Sequence, residues 1–237
     1  RGEGQQVDDD GITLVQPNIP VFKMDIFIPY SIEIEMDWAQ MESELRMAID
    51  DARFRLEATA HVSGNGTSQP TGIVTALTGT ASEIAPTVAE AFGINDVYKT
   101  RRSVPARYRS QSSWAANLST YDAIRQFDTG GGGGFWTDMN NGTPDRLLSY
   151  PTYEFSNIDE AANINPAAVG NNRILICGDF SRYLIVDRVG MRIENIPHLF
   201  GTANNRPTGQ RGIYGMLRTG ADSIDDNAFR MLNVTTS

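Results

Sequence analysis

The sequence has almost none of the residues that build metal and nucleophile sites. Its 237 residues include one cysteine, Cys177, and two histidines, His61 and His198. A single cysteine forms no internal disulfide, which favours a reducing, intracellular origin. Zinc sites need several Cys or His ligands, and these three residues are widely spaced in the sequence. We therefore expect no metal site, and we interpret Cys177, within the apolar run ILICGDF, as a buried and inert thiol.

Sequence signatures of catalysis are also missing. The sequence contains no G-x-S-x-G, H-E-x-x-H, Walker or dinucleotide-binding motif. The stretch GNGTSQPTGIV at residues 64–74 is rich in glycine, but it follows a helical pattern and contains no lysine, whereas a phosphate-binding loop precedes its helix. We interpret it as a helix C-cap followed by a turn. Carboxylates are plentiful but unordered, so an Asp/Glu-dependent hydrolase is kept only as an alternative of another class, and no cofactor is expected.

Positive charge and long apolar runs are scarce. The chain has 20 basic and 29 acidic residues and a net charge of −9, which argues against binding to a nucleic-acid backbone through counterion release. Only Lys23 and Lys99 are lysines; arginine suits ion pairs between surfaces, although a host genome rich in G and C explains the same bias. No run approaches the roughly 18 apolar residues of a membrane span, and we expect no membrane partner. Since the chain begins at Arg1, we expect it to be part of a longer polypeptide.

The most regular pattern in the sequence is that of one long amphipathic helix. Apolar residues recur at steps of three or four from about Trp38 to about Val62: Trp38, Met41, Leu45, Ala48, Ile49, Ala52, Leu56 and Ala60. Asp37 is the expected N-cap. Two acid–base pairs at i,i+4 spacing support the helix: Glu42 with Arg46, and Asp51 with Arg55. Such a helix would be roughly 36 Å long, which predicts a spine rather than a compact bundle.

Strand patterns flank this helix on both sides. In residues 31–36, Ile32, Ile34 and Met36 alternate with polar residues, which predicts a half-buried strand whose solvated face carries Glu33 and Glu35. Further predicted elements are one or two short helices in 87–103, a helix at 114–127, three strands in 172–196 with breaks at 178–179 and 188–190, and strands at 211–219 and 227–234. The five consecutive glycines at 130–134 predict a mobile loop.

In this order the segments resemble the tailed-phage major capsid proteins of the Hong Kong 97 type (HK-97 fold). The resemblance rests on residues 27–74, 104–127, 173–194 and 211–234. Within them, a helix followed by Gly-x-Gly-x-x-x-Pro-x-Gly-Ile and the later Gly-Asp-Phe-Ser…Asp-Arg-x-Gly are specific in combination. The resemblance implies an α+β fold with a long spine helix, an extended β loop, a peripheral domain and an axial domain.

The resemblance also implies a division of the chain. Residues 1–35 would be the later part of the extended loop and its returning strand, 36–80 and 186–225 the peripheral domain, and 81–185 and 226–237 the axial domain. The loop would lie over a neighbouring subunit, and its candidate contact residues are Asp8, Asp9, Asp10, Ile12, Leu14, Ile19 and Lys23. The Lys–Asn cross-link of one branch of the family is not expected, because no motif matching that site accompanies the lysine.

The implied function is that of a structural, non-enzymatic shell protein. Pentamers and hexamers would assemble in the host cytoplasm into an icosahedral virion shell that encloses double-stranded DNA without sequence-specific binding. Scaffold, portal or decoration proteins are candidates for further partners. The alternative is an encapsulin-like nanocompartment, which uses the same fold around an enzyme cargo, and the content of purified particles separates the two.

Overall fold

A computed structural model describes residues 18–38, 40–127 and 146–237 of the chain. The glycine run at 130–134 and the contact candidates from Asp8 to Leu14 lie outside these residues. The helices are α1 Ile32–Asp37, α2 Met41–Ser63, α3 Ile73–Leu77, α4 Ile94–Ser103 and α5 Leu118–Phe127. The strands are β1 Phe22–Ser31, β2 Glu83–Ile84, β3 Ser113–Ala116, β4 Arg146–Leu147, β5 Tyr150–Glu154, β6 Gly170–Gly178, β7 Tyr183–Ile196, β8 Gln210–Ser223 and β9 Phe229–Thr236.

The strands form two sheets. One has three antiparallel strands in the order β1-β8-β7, with β8 in the centre and Ile49 of α2 packed over Gly215 of that strand. The other has six strands in the order β2-β9-β6-β3-β5-β4 and contains both parallel and antiparallel pairs. Most of the buried apolar side chains pack around this second sheet, among them Trp114, Leu175 and Phe229. The α+β class expected from the sequence is therefore confirmed.

The predicted strand at residues 31–36 is wrong, because this segment forms helix α1. The ladder between β1 and β8 ends where Ser31 lies opposite Gln210, so the following residues have no strand to pair with. Ser31 instead caps the helix, and its hydroxyl accepts a hydrogen bond from the Glu33 N–H at 3.3 Å. Glu35 accepts from Arg211 at 2.7 Å through both carboxylate oxygens, so it ties α1 to β8 rather than lying on a solvated strand face.

The predicted long helix is confirmed as α2, although it begins at Met41 rather than Trp38. Asp37 is the last residue of α1 and does not cap α2; Gln40 occupies the N-cap position without a side-chain hydrogen bond. Both predicted ion pairs form, Glu42 with Arg46 at 2.8 Å and Asp51 with Arg55. The buried residues of the helix are Met41, Ile49, Ala60 and Val62. Much of the predicted apolar stripe, including Leu56, therefore remains exposed.

The stretch GNGTSQPTGIV is the turn that the sequence predicts. Gly64 follows the last residue of α2 and donates its N–H to the Ala60 carbonyl at 2.9 Å, and Gly72 donates to the Gly64 carbonyl at 2.9 Å. A Cβ on Gly64 would lie 2.1 Å from the Pro70 carbonyl oxygen, so only glycine fits this close backbone approach. A short helix, α3, does follow the turn.

Some of the elements predicted after residue 87 are confirmed and others differ from the prediction. Residues 211–219 and 227–234 lie within β8 and β9, as predicted. Residues 172–196 form two strands rather than three, because the expected break at 188–190 is a bulge at which the register of β7 against β8 shifts. Residues 87–103 contain one helix, α4. The segment 114–127 begins as strand β3, which pairs with β5 and β6, and only then becomes α5.

Candidate assembly surfaces

The side chains that could carry chemistry are isolated from one another. Among the described residues, no three His, Cys, Asp or Glu side chains lie close enough to hold a metal ion. Cys177 is fully buried in β6, as expected, and burial raises the pKa of its thiol to about 12. Burial lowers the pKa of His61, and its Nε2 atom lacks a hydrogen-bond partner. A neutral His61 fits a packing role better than a cationic contact with the helix end.

No helix in the described parts of the chain has the length and hydropathy needed to cross a bilayer.

Helix α2 and the segment before it present large apolar side chains to solvent. Met47 and Phe54 are each 64% exposed, one helical heptad apart on α2, and Leu56 is 48% exposed. Met36, in α1, and Trp38, just after it, are also exposed. Scattered apolar residues are normal on a surface, but several on one element mark a face that a partner covers.

Strand β7 provides a second apolar surface. It lies at an edge of the three-stranded sheet. Leu184, Ile185 and Val186 are consecutive and all exposed, so both faces of this strand segment are apolar. An apolar edge strand readily associates with another chain. The sequence predicted a strand here but gave no sign that both of its faces would be uncovered.

A hollow of about 450 Å³ lies beside these β7 residues. It is lined by apolar side chains of four segments, including Val62, Ile73, Phe180 and Ile185, together with His61. At its margin the Tyr183 hydroxyl lies 2.9 Å from the His61 carbonyl oxygen and 2.7 Å from that of Thr71. These long-range contacts join β7, the end of α2 and the turn after it, and no short-range sequence pattern identifies them.

The two described contact candidates, Ile19 and Lys23, do not share a site. Ile19 is half-buried in the segment before β1. Lys23 lies on β1, where its Nζ atom is 2.8 Å from the Asp25 carboxylate and 5.4 Å from the centre of the Tyr214 ring. The hydrogen bond with Asp25 raises the pKa of Lys23. The role of both residues in contacts between subunits stays a prediction.

Polar contacts that the sequence did not reveal fasten the second sheet. Glu83 next to β9 accepts hydrogen bonds from Arg173 at 3.2 Å and from Asn233 at 2.7 Å. Tyr108 donates to the Asp225 carboxylate, and this bond is the main cause of the lowered pKa of Asp225. These partners are 90 to 150 residues apart in the sequence, so only the folded chain brings them together.

This fold is similar to those of several solved shell structures. The capsid of an empty GTA particle, computed with C5 symmetry, matches with a TM-score of 0.77 and 24% identity over 98% of this chain and 81% of that chain. Gordonia phage Cozz matches with a TM-score of 0.63 and 15% identity over 100% of this chain and 77% of that chain. The holo-SrpI encapsulin complex from Synechococcus elongatus PCC 7942 matches with a TM-score of 0.64 and 10% identity over 91% of this chain and 74% of that chain.

At these identities the structural matches establish the fold alone. The sequence itself matches the family described as "Phage capsid family" over residues 1–234. No curated protein matches the chain.

Proposed function

Since this chain belongs to the phage capsid family, we propose that it assembles into pentamers and hexamers through the exposed apolar surfaces of α2 and β7. It is a major capsid protein of the HK-97 type, a structural component of an icosahedral virion shell and not an enzyme. The observation that carries the proposal is the exposure of Met47, Phe54 and Ile185, which neighbouring copies would cover.

The proposed domain division follows the two sheets. β2 to β6 and β9 all lie within 81–185 and 226–237, which supports an axial domain built on the six-stranded sheet. α2, β8 and most of β7 lie within 36–80 and 186–225, which supports a peripheral domain. β1, from the proposed loop segment 1–35, pairs with β8 along its whole length, and it would anchor the extended loop to the peripheral domain.

The proposed cargo is double-stranded DNA, held without sequence-specific contacts. The net charge of −9 supports this, because a shell that bound phosphates over its whole surface would hinder packing and release of the genome. Scaffold, portal and decoration proteins remain proposed partners, with the host cytoplasm as the site of assembly.

Electron microscopy of the purified, assembled chain tests the proposal. We expect closed shells of uniform size with five-fold vertices, and nuclease-resistant DNA inside particles from the native source. Particles that contain a folded enzyme instead of DNA would favour the encapsulin-like alternative. Only monomers or irregular aggregates would contradict the assembly proposal.

A further inference from the structure

The end of α4 and the loop after it concentrate positive charge that the overall composition conceals. No Asp or Glu occurs between Asp96 and Asp122 in a chain whose net charge is −9. The charged residues of this interval are all basic: Lys99, Arg101, Arg102, Arg107 and Arg109. Such a local cluster is the electrostatic feature expected of an anion site.

Two of these side chains already have partners within the chain. The Lys99 Nζ atom donates to the carbonyls of Ala85 and Pro86 at 2.6 and 3.3 Å. The Arg107 guanidinium lies 3.6 Å from the carboxylate of Asp225. Neither is therefore a good candidate for an external ligand.

The other three arginines converge on one open hollow. Arg101, Arg102 and Arg109 line a cavity of about 290 Å³ together with Tyr98 and Tyr150. In the described ranges, none of the three forms an ion pair with a carboxylate. Since a water molecule takes up about 30 Å³ in the liquid, the cavity is large enough for a phosphate group with part of its nucleotide.

Neutral partners hold two of the guanidinium groups in place. Arg109 donates to the carbonyls of Val104 and Arg102, both at 2.8 Å, at the C-terminal end of α4, where carbonyl groups attract cations. Arg101 lies over the Tyr150 ring, 5.1 Å from its centre. Carbonyl groups and an aromatic ring orient these side chains without neutralising their charge. The cavity is therefore both positively charged and pre-organised.

We propose that this cavity binds phosphate groups and that its ligand is the phosphodiester backbone of nucleic acid. Guanidinium groups match phosphate oxygens in pairs. The proposed shell function concerns contacts between subunits. This inference goes beyond it, because it assigns a ligand to a cavity that lies within one subunit. It adds a local nucleic-acid contact to a chain that is acidic as a whole.

Binding of a labelled single-stranded oligonucleotide to the full-length, unassembled chain tests the proposal, measured by fluorescence anisotropy at several salt concentrations. The double variant Arg101→Gln/Arg102→Gln removes two charges from the cavity. The control Arg188→Gln/Arg192→Gln removes two exposed charges from β7. We expect the cavity variant to bind about tenfold more weakly or worse, and the slope of log K against log salt to become shallower by about 1.4. The control should stay within about twofold of the parent chain.

A second variant tests whether weaker binding by the first variant comes from a lost contact or from a lost fold. Arg101→Lys/Arg102→Lys retains the charge but loses the paired guanidinium geometry, so it should weaken binding and leave the salt slope unchanged. Equal losses in the cavity and β7 variants, or no binding by the parent chain, would overturn the proposal. Binding of inorganic pyrophosphate without binding of the oligonucleotide would overturn nucleic acid as the source of the phosphate.

Discussion

At the scale of single residues, Gly72 is one of the positions most tightly constrained by its surroundings. A Cβ there would lie 2.5 Å from the Val62 carbonyl oxygen and 2.4 Å from the Gly64 nitrogen, and backbone atoms cannot move aside cheaply. We expect Gly72→Ala to lower the free energy of unfolding by about 1–3 kcal/mol in urea titrations. Gly190→Ala is the matched control, because no atom lies within 4 Å of a Cβ there. Equal stability of the two variants would contradict the close approach.

The contact between Tyr108 and Asp225 predicts a pH dependence. The Tyr108 hydroxyl lowers the pKa of Asp225 in the folded chain, so its stabilising contribution is complete above the unfolded pKa, near about 3.9, and is lost as the pH falls through the folded value. We expect Tyr108→Phe to cost about 1–2 kcal/mol at neutral pH. Denaturant titrations should show this difference shrinking below about pH 4.

The control for this pH dependence is Tyr214→Phe. The Tyr214 hydroxyl contacts the exposed Asp25 at 3.3 Å, where water competes for the carboxylate. This variant should leave both the stability and its pH profile nearly unchanged. A Tyr108→Phe difference that stays constant down to pH 3 would contradict the role of the ionised Asp225 carboxylate.

At the scale of secondary structure, we expect one face of α2 to serve folding and the other to serve assembly. Ile49 is fully buried over Gly215, whereas Phe54 is 64% exposed and Leu45 is only half-buried. We expect Ile49→Gln to lower the free energy of unfolding by about 2–5 kcal/mol. Phe54→Gln should change it by no more than about 0.5 kcal/mol and yet reduce the yield of shells in sedimentation. Normal shell yield from folded Phe54→Gln would remove this face from the proposed interface.

The outcome for these elements shows what local sequence patterns can and cannot predict. The three-to-four-residue period predicted α2 because it extends over many turns, and strands β8 and β9 had clear β-rich runs. The period-two alternation in Ile32 to Met36 failed because strand formation depends on a partner, and the ladder with β8 ends at Ser31. The predicted stripe rightly included Ile49 and left out Phe54, but it also included Leu56, which is 48% exposed. Ile49 and Leu56 are both apolar and one heptad apart, and only the position of β8 decides which of them is covered.

At the scale of the whole molecule, the buried core is unevenly distributed. The large buried cluster surrounds the six-stranded sheet. Among the residues that the structure describes, the cluster between α2 and the three-stranded sheet is small and consists of Met24, Ala60 and Leu217, with Met191 packed against it. A cavity of about 120 Å³ lies in the same region. The α2 layer therefore gains little burial within one subunit, and contacts with neighbouring subunits would supply what it lacks.

The segment 1–19 extends this argument to contacts between subunits. Its apolar residues are few: Val7, Ile12, Leu14, Val15 and Ile19. That is too little apolar surface to offset an ordering cost of about 1–2 kcal/mol per residue for a free segment. We predict that the segment becomes ordered only on a neighbouring subunit, with Ile12, Leu14 and Ile19 against that subunit or the segment's own returning strand, and Asp8 to Asp10 paired with its arginines.

Amide hydrogen exchange of free subunits and of assembled shells measures this ordering directly. Residues 1–19 should exchange fast in the free subunit and slowly in the shell, because only the shell supplies the surface that they require. The amides of β9, within the large core, serve as the internal control and should be protected in both states. Equal protection of residues 1–19 in both states would mean that the segment packs within its own subunit. The assignment of residues 1–35 to an extended loop over a neighbour would then be wrong, even if shells still formed.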